Sequence, residues 1–206
     1  MLYNINYRKE NAMPPKAKIT KEMIVDAAFE ITRSEGIESV NARTVSKKLG
    51  CSTQPVMYHF ATIEDMKRAT YTKADNFHTA YLMNVSPQED IMLGIGLNYI
   101  RFAVEEPNLF CFLFQSGYAV ENSVIQMIDS ESLQPVLLAM QEEMGLDEKQ
   151  TKEIFLTLAM FVHGYASITA NNALEFDETV VAAHLERVYR GAVLALREGK
   201  SNEEII

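Results

Sequence analysis

Tryptophan is absent from the 206 residues, and cysteine, proline and glycine number only 2, 6 and 9. Two cysteines, Cys51 and Cys111, cannot form a disulfide framework and fit a reducing compartment. With 48% apolar residues, so little proline and glycine points to a compact, helix-rich globule and excludes a low-complexity chain. No uninterrupted apolar run approaches the length that spans a bilayer, and the N-terminus does not read as a signal peptide, so a cytoplasmic protein is expected. Catalytic signatures are missing too. There is no glycine-rich phosphate loop and no nucleophile elbow, and His59, His78, His163 and His184 have no partners at metal-ligand spacing. Gly94-Ile95-Gly96 lies in a helical context, unlike a dinucleotide fingerprint. An enzyme is not expected, nor a cofactor or a metal. Positive charge is also scarce, at 19 Lys and Arg against 28 Asp and Glu, which over the whole chain argues against a nucleic-acid partner. The distribution reverses that argument. Residues 1–70 carry 11 basic against 8 acidic side chains, whereas residues 71–206 carry 8 against 20. A basic end suits phosphate contact, and an acidic body would be repelled from a duplex.

What is present begins with Asn41 to Phe60, which reads as two short helices joined by a tight turn. Val45, Leu49 and Val56 are spaced to bury one side of the pair. Gly50 stands where the first helix must stop, Ser52 is a good N-cap for the second, and Pro55 falls within its first turn. Thr53, Gln54, Met57, Tyr58 and His59 remain outward, so the second helix offers donors, acceptors and an aromatic face to a major groove. Cys51, in the turn, is a small apolar core residue. Upstream, Met23, Ile24, Ala27, Ala28 and Ile31 mark a helix from near Thr20 to Gly36. Downstream, Thr62 and Asp65 have capping-box spacing for another helix.

This order of helix, glycine, helix-turn-helix, Tyr58-His59-Phe60 and long helix resembles the tetracycline-repressor (TetR) family over roughly Ile19 to Met66. The spacings of Gly36, Arg43, Gly50 and Tyr58 all agree with that pattern. The resemblance implies an all-α chain in three parts: a flexible arm at 1–15, a helix-turn-helix domain at 16–66, and an effector-binding and dimerisation domain at 67–206. Residues 1–12 show no helical pattern, which leaves open whether translation starts at Met1 or Met13. DNA contact is assigned to Ala42, Arg43, Lys48, Thr53, Gln54, Pro55, Met57, Tyr58, His59 and Lys67. Gln54 can pair with adenine and Arg43 with guanine or phosphate; Thr53, Tyr58 and His59 suit phosphate oxygens. Packing is the alternative role for Tyr58 and capping for His59. Where the family has a phosphate-binding lysine before Glu64, this chain has Ile63, and Lys67 or Lys48 is the candidate substitute.

The rest of the chain reads as helix throughout. One helix runs from Ile63 to about Asn84, and a break at Ser86-Pro87 precedes a second that ends at Glu106-Pro107. An aromatic run, Leu109 to Phe114, follows. A further helix is expected from Ser123 to Met144, bent near Pro135, and two more at Glu148–Ala173 and Glu178–Arg197. Phe102, Phe110, Phe112, Phe114 and Tyr118 crowd within 17 residues, with Met92, Met127, Met140, Met144 and Met160 nearby. The resemblance places an effector site in this middle region, so Phe102, Phe110, Phe112, Phe114, Tyr118, Met140, Phe161 and His163 are assigned to an adaptable apolar pocket. Ordinary core packing is the alternative for each ring, and for His163 a satisfied core histidine. Ala159 to Ala166 resembles a C-terminal subgroup with a Trp-His-Gly-like signature, although Phe161 and Val162 stand at its aromatic part. The last two helices carry more apolar surface than one chain needs. Burial of both helices within their own domain is one reading; the resemblance implies instead that they pair with their copies in a four-helix dimer interface, to which Tyr165, Val181, Leu185, Val188, Ala192 and Ala195 are assigned, with small residues such as Ala183 and Gly191 allowing close approach. The function implied is a homodimeric repressor that a small apolar or amphipathic effector releases from a palindromic operator in double-stranded DNA. A DNA-binding activator, or a helical protein-interaction module without a small-molecule effector, is the other reading.

Overall fold

The computed structural model describes residues 19–86, 90–118, 126, 128–172 and 174–199. The expected N-terminal arm, Pro87, Met127 and the Ser123 end of the helix expected to run to Met144 lie outside the described residues. Among those described the chain is all-α, with no strand.

Each boundary at the N-terminal end has a local cause. Helix α1, Lys21–Glu35, begins where the Thr20 hydroxyl accepts from Met23 N–H at 3.2 Å, and it stops at Gly36 with φ 84°. Ile24, Ala27, Ala28 and Ile31 are its buried stripe. After a 3-10 turn at Ile37–Ser39, the Asn41 side chain caps α2, Ala42–Lys48, in a capping box with Thr44. Gly50 at φ 64° supplies the left-handed step, and Cys51 N–H closes the turn on the Ser46 carbonyl at 3.0 Å. Helix α3, Thr53–His59, follows. Val45 and Val56 are fully buried and lock α2, α3 and α1 into one small core.

Helix α4, Ile63–Leu82, opens with the expected Thr62/Asp65 capping box. Its 20 residues make it about 30 Å long. It connects the small core to the body and is fastened along its length. Tyr71 Oη donates to the Leu113 carbonyl at 3.3 Å, Tyr81 Oη to Glu105 at 2.6 Å, and buried Asn98 to the carbonyls of Leu82 and Asn84 at 3.2 Å each. Four more helices follow the break: α5, Ile91–Glu105; α6, Pro107–Gln115; α7, Gln134–Met144; and α8, Glu148–Asn172. The last is α9, Glu178–Arg197. Helix α5 is the centre of the body, with α8, α9, α6 and α4 around it. A Cβ on Gly96 would collide with Leu185, so this glycine is what lets α9 approach α5.

Two expectations change. Pro135 does not bend a long helix; it lies in the first turn of α7, where its missing N–H leaves no helical bond unmade, and a 3-10 turn at Glu131–Leu133 precedes it. Helix α8 is, by length and composition, apolar enough to cross a membrane, contrary to the reading of the sequence. Only 28% of its most apolar window is buried within the chain. The helix is apolar on two sides because one packs into the core while the other is left open.

Candidate functional site

Two regions could carry function: the outer face of α2–α3 and a cavity inside the body. On α3, Val56 points in, while Thr53, Gln54 and Met57 are exposed and Tyr58 is 83% exposed. The buried side fixes the helix, so the outward side chains are presented from a rigid base. Arg43 and Lys48 are exposed at opposite ends of α2. Lys47 is exposed as well, and the sequence reading had passed over it; the signal was a Lys-Lys pair of which neither packs inward. Ala42 and Pro55 are half-buried at the helix starts, shaping the surface without projecting from it. His59 is half-buried, with Nε2 3.0 Å from the Ile19 carbonyl, so it ties α3 to the start of α1.

Lys67 differs from its assignment. Its side chain is buried, with Nζ 3.7 Å from Glu38 and 5.9 Å from the centroid of the Tyr118 ring. An ammonium so engaged stabilises the junction between α4 and the turn after α1, and is not presented to a phosphate. Ile63 packs against the core, as an apolar residue should.

The cavity, about 340 Å³, lies between α4, α5, α6, α7, α8 and α9. Of the eight assigned pocket residues, Phe114, Met140 and His163 line it. Phe102, Phe110 and Phe112 do not. They are at most 1% exposed and are consumed by ring contacts: Phe102 with Phe77, His78 and Tyr81, Phe110 with Tyr99 and Phe114, Phe112 with Tyr71 and Tyr118. A ring packed on all sides supports a cavity wall but cannot face the void. Tyr118 lies at the α4–α6 junction beside Lys67, where burial and a hydrogen bond with Glu64 push its phenol pKa up. Phe161 is half-buried against the core and not among the cavity-lining residues, its centroid 6.3 Å from that of Tyr165.

Met92 and Met160, among the methionines already expected near this region, also line the cavity, together with Tyr71, His78, Tyr99 and Phe155. These last four come from three helices far apart in sequence, so local aromatic density could not reveal them. Tyr99 Oη lies 2.9 Å from His163 Nδ1, and His163 Nε2 lies 3.4 Å from Ser167 Oγ. Burial pushes the His163 pKa down and the Tyr99 phenol up, so both are neutral at pH 7. His78 is more extreme: burial alone lowers it to about 3. The lining is thus mostly apolar and aromatic, with neutral His78, Tyr99 and His163 and the carboxyl group of Asp75 among it.

The assigned interface also divides. Val181 and Leu185 are buried within the chain, Leu185 against Gly96 and the cavity, while Val188 and Ala192 are half-buried against the same core. Tyr165 is half-buried and Ala195 exposed. The open stripe of α9 is offset from the assigned one: Val180, Ala183, Arg187, Gly191 and Leu194 are all exposed, and Leu194 is 58% so. On α8 the open side carries Met160 and Ile168, with Gly164 between them. A Cβ on Gly164 or Gly191 would meet nothing within 4 Å. The period of 3.6 was legible in the sequence, but which of two apolar sides faces inward was not.

Residues 92–192 match the family described as "Tetracyclin repressor-like, C-terminal domain", a span that includes Ala159 to Ala166. An uncharacterized HTH-type transcriptional regulator of Bacillus subtilis (strain 168), YobS, is 22% identical over 172 residues, 82% of this chain and 88% of that protein. A TetR-family transcriptional regulator from Streptomyces coelicolor superposes with a TM-score of 0.65 at 13% identity, over 87% of this chain and 83% of that one. The multidrug binding protein EbrR, solved in complex with ethidium, superposes with a TM-score of 0.57 at 16% identity, over 82% and 97%. At these identities the structural likeness shows the fold.

Proposed function

The chain is a TetR-family transcriptional regulator, and from that premise we propose that it is a homodimeric repressor, released from a palindromic operator when a small apolar or amphipathic molecule fills the internal cavity. The observation that carries the DNA reading is the outer face of α3. Tyr58, 83% exposed, stands with Thr53, Gln54 and Met57 on a helix whose opposite side is anchored by fully buried Val56. A soluble monomer gains nothing by presenting this set, whereas a major groove accepts it: Gln54 pairs with adenine, and Arg43, Lys47, Lys48 and the Thr53 and Tyr58 hydroxyls meet phosphates or base edges. Ala42, Pro55 and His59 position that face. A regulator that meets chromosomal DNA works in the cytoplasm.

The dimer reading is supported by the open apolar sides of α8 and α9, where Met160, Ile168, Val180 and Leu194 are exposed and glycines leave room for a second backbone. Two copies joined there form a four-helix interface with Tyr165 and Ala195 at its edge, and two-fold symmetry matches a two-fold operator with half-sites roughly 34–36 Å apart. The effector reading is supported by the aromatic cavity and by the small-molecule complex of EbrR, a structural neighbour. Filling the cavity changes DNA affinity to the extent that the ligand binds one setting of α4 better than the other.

Selection of duplexes from a random pool by purified protein tests this. The expected product is an inverted repeat, bound with an affinity that falls steeply as salt rises. Recovery of random sequence, with no duplex bound above background, refutes it. A reporter placed behind the selected repeat separates repression from activation.

A further inference from the structure

The described residues that line the cavity include no lysine and no arginine, and Asp75, half-buried on α4, is the one acidic side chain among them. Burial holds the two lining imidazoles, His78 and His163, in their neutral form at pH 7, so neither offers a positive charge to an anion. An anion entering here would lose its water beside a carboxylate, with no cation of the described lining to compensate. The same walls carry the rings of Tyr71, Tyr99, Phe114 and Phe155, whose faces attract positive charge. Tyr71 precedes Asp75 by one turn of α4, so a ring and the carboxylate line the cavity side by side. A carboxylate has about four acceptor positions, which leaves room for a cation beside the other partners of Asp75. The field of the body acts in the same direction. Residues 71–206 carry 8 basic against 20 acidic side chains, a balance that draws cations in and repels anions.

From these observations we infer that the cavity takes a lipophilic organic cation, an apolar body with a delocalised or alkylated positive charge, and that Asp75 selects it by the sign of that charge. The body displaces water from the rings and thioethers, while the charge lies between the carboxylate and the aromatic faces. An alkylated or delocalised cation is weakly hydrated and gives up little on entry, unlike a bare metal ion or a primary ammonium. A neutral molecule of the same shape fills the cavity without using the carboxylate, and an anion is repelled by it. The inference rests on the cavity being the effector site, and it adds the sign of the ligand's charge and the residue that reads it.

Isothermal titration of the full-length protein at pH 7 with N-methylquinolinium, its uncharged isostere 1-methylnaphthalene, and 1-naphthoate tests it. These probes share one shape and differ in charge. N-methylquinolinium should bind at least about tenfold more tightly than 1-naphthoate. Asp75→Asn keeps the size of the side chain and removes its charge. It should weaken N-methylquinolinium at least about tenfold and leave 1-methylnaphthalene nearly unchanged, because only the cation uses the carboxylate. Circular dichroism checks that the variant is folded; should it fail to fold, the wild-type order of cation and anion decides alone. Binding of N-methylquinolinium no tighter than that of 1-naphthoate, no binding of the cation at all, or an undiminished preference for it in folded Asp75→Asn overturns the inference. Equal losses of N-methylquinolinium and 1-methylnaphthalene in that variant overturn it as well, since Asp75 would then shape the cavity without reading charge. If 1-methylnaphthalene alone binds and alters operator affinity, the effector reading of the cavity stands and the cation is refuted. If the cation binds as expected and leaves operator affinity unchanged, the ligand class stands and the effector reading falls.

Discussion

Arg33, near the end of α1, reaches across to Glu106 at the corner between α5 and α6, and removing it tests how the DNA-binding end is coupled to the body. Its Nε lies 2.8 and 3.0 Å from the two Glu106 oxygens, and Nη2 also donates to Oε1. The guanidinium lies 5.5 Å from the Phe77 centroid on α4, and the Arg33 carbonyl accepts from Asn108 at 3.0 Å. The two ends of the pair are unequally placed: the Glu106 side chain is 10% exposed and the Arg33 side chain 43%. Arg33→Met therefore leaves a nearly buried carboxylate unpaired. Breaking a fully buried pair costs about 3–5 kcal/mol, but the exposed side of Arg33 lets water reach the site, so about 2 kcal/mol is expected. Glu106→Leu leaves the arginine free to turn into solvent and should cost under about 1 kcal/mol. The double variant Arg33→Met/Glu106→Leu removes the unpaired charge and should sit within about 1 kcal/mol of wild type, giving a coupling of about 2 kcal/mol. Urea denaturation followed by circular dichroism, at one fixed protein concentration because a dimer's stability depends on it, measures all four proteins. An Arg33→Met loss below about 0.5 kcal/mol, or strictly additive losses in the double variant, would show that the pair is solvated and does not join α1 to the body.

Gln54→Ala should weaken binding to the selected operator by about 1–3 kcal/mol and leave random duplex nearly unaffected, whereas Lys48→Ala should weaken both and flatten the salt slope; equal losses for Gln54→Ala on both duplexes would remove it as a base reader. Leu194→Asp alters an exposed side chain of the single chain and should leave its fold intact, but buried in a dimer it should produce monomers in sedimentation and abolish operator binding; a full-affinity dimer would move the interface elsewhere. Ala159→Phe, at the cavity wall, should cut ligand binding at least about tenfold while sparing operator affinity, and unchanged titration would relocate the site. His78 is neutral when folded, with its pKa lowered to about 3, and takes up a proton below about 6.5 when unfolded, so its contribution is lost as pH falls from 6.5 towards 3, at about 1.4 kcal/mol per pH unit. Wild type should thus lose about 2 kcal/mol more than folded His78→Phe between pH 7 and 5, and parallel urea midpoints would contradict this.

The helix-turn-helix was legible because its causes are local. Thr20, Asn41 and Thr62 cap helices with their own side chains, Gly36 and Gly50 take backbone angles other residues avoid, and Val45 and Val56 bury one side of a short pair. Each of these acts within a few residues, so spacing alone identifies it, and the outward set Thr53, Gln54, Met57 and Tyr58 follows by subtraction. Periodicity likewise gave the helical body, with ends at Glu105 and Arg197.

What only the tertiary structure decided is which side of each amphipathic helix meets which neighbour. Lys67 has the composition of a phosphate ligand and becomes a buried partner of Glu38 because α4 rotates it inward. Leu185 belongs to an apolar row that suits an interface, yet Gly96 on α5 opens a place for it in the core. Phe102, Phe110 and Phe112 suggest a pocket by their density, and that same density lets them fill each other's space. The cavity is lined instead by side chains from α4 to α9 that converge across long stretches of chain. Capping and backbone angles are properties of short segments and are written in the sequence. Convergence depends on how helices pack against one another, and no segment specifies that by itself.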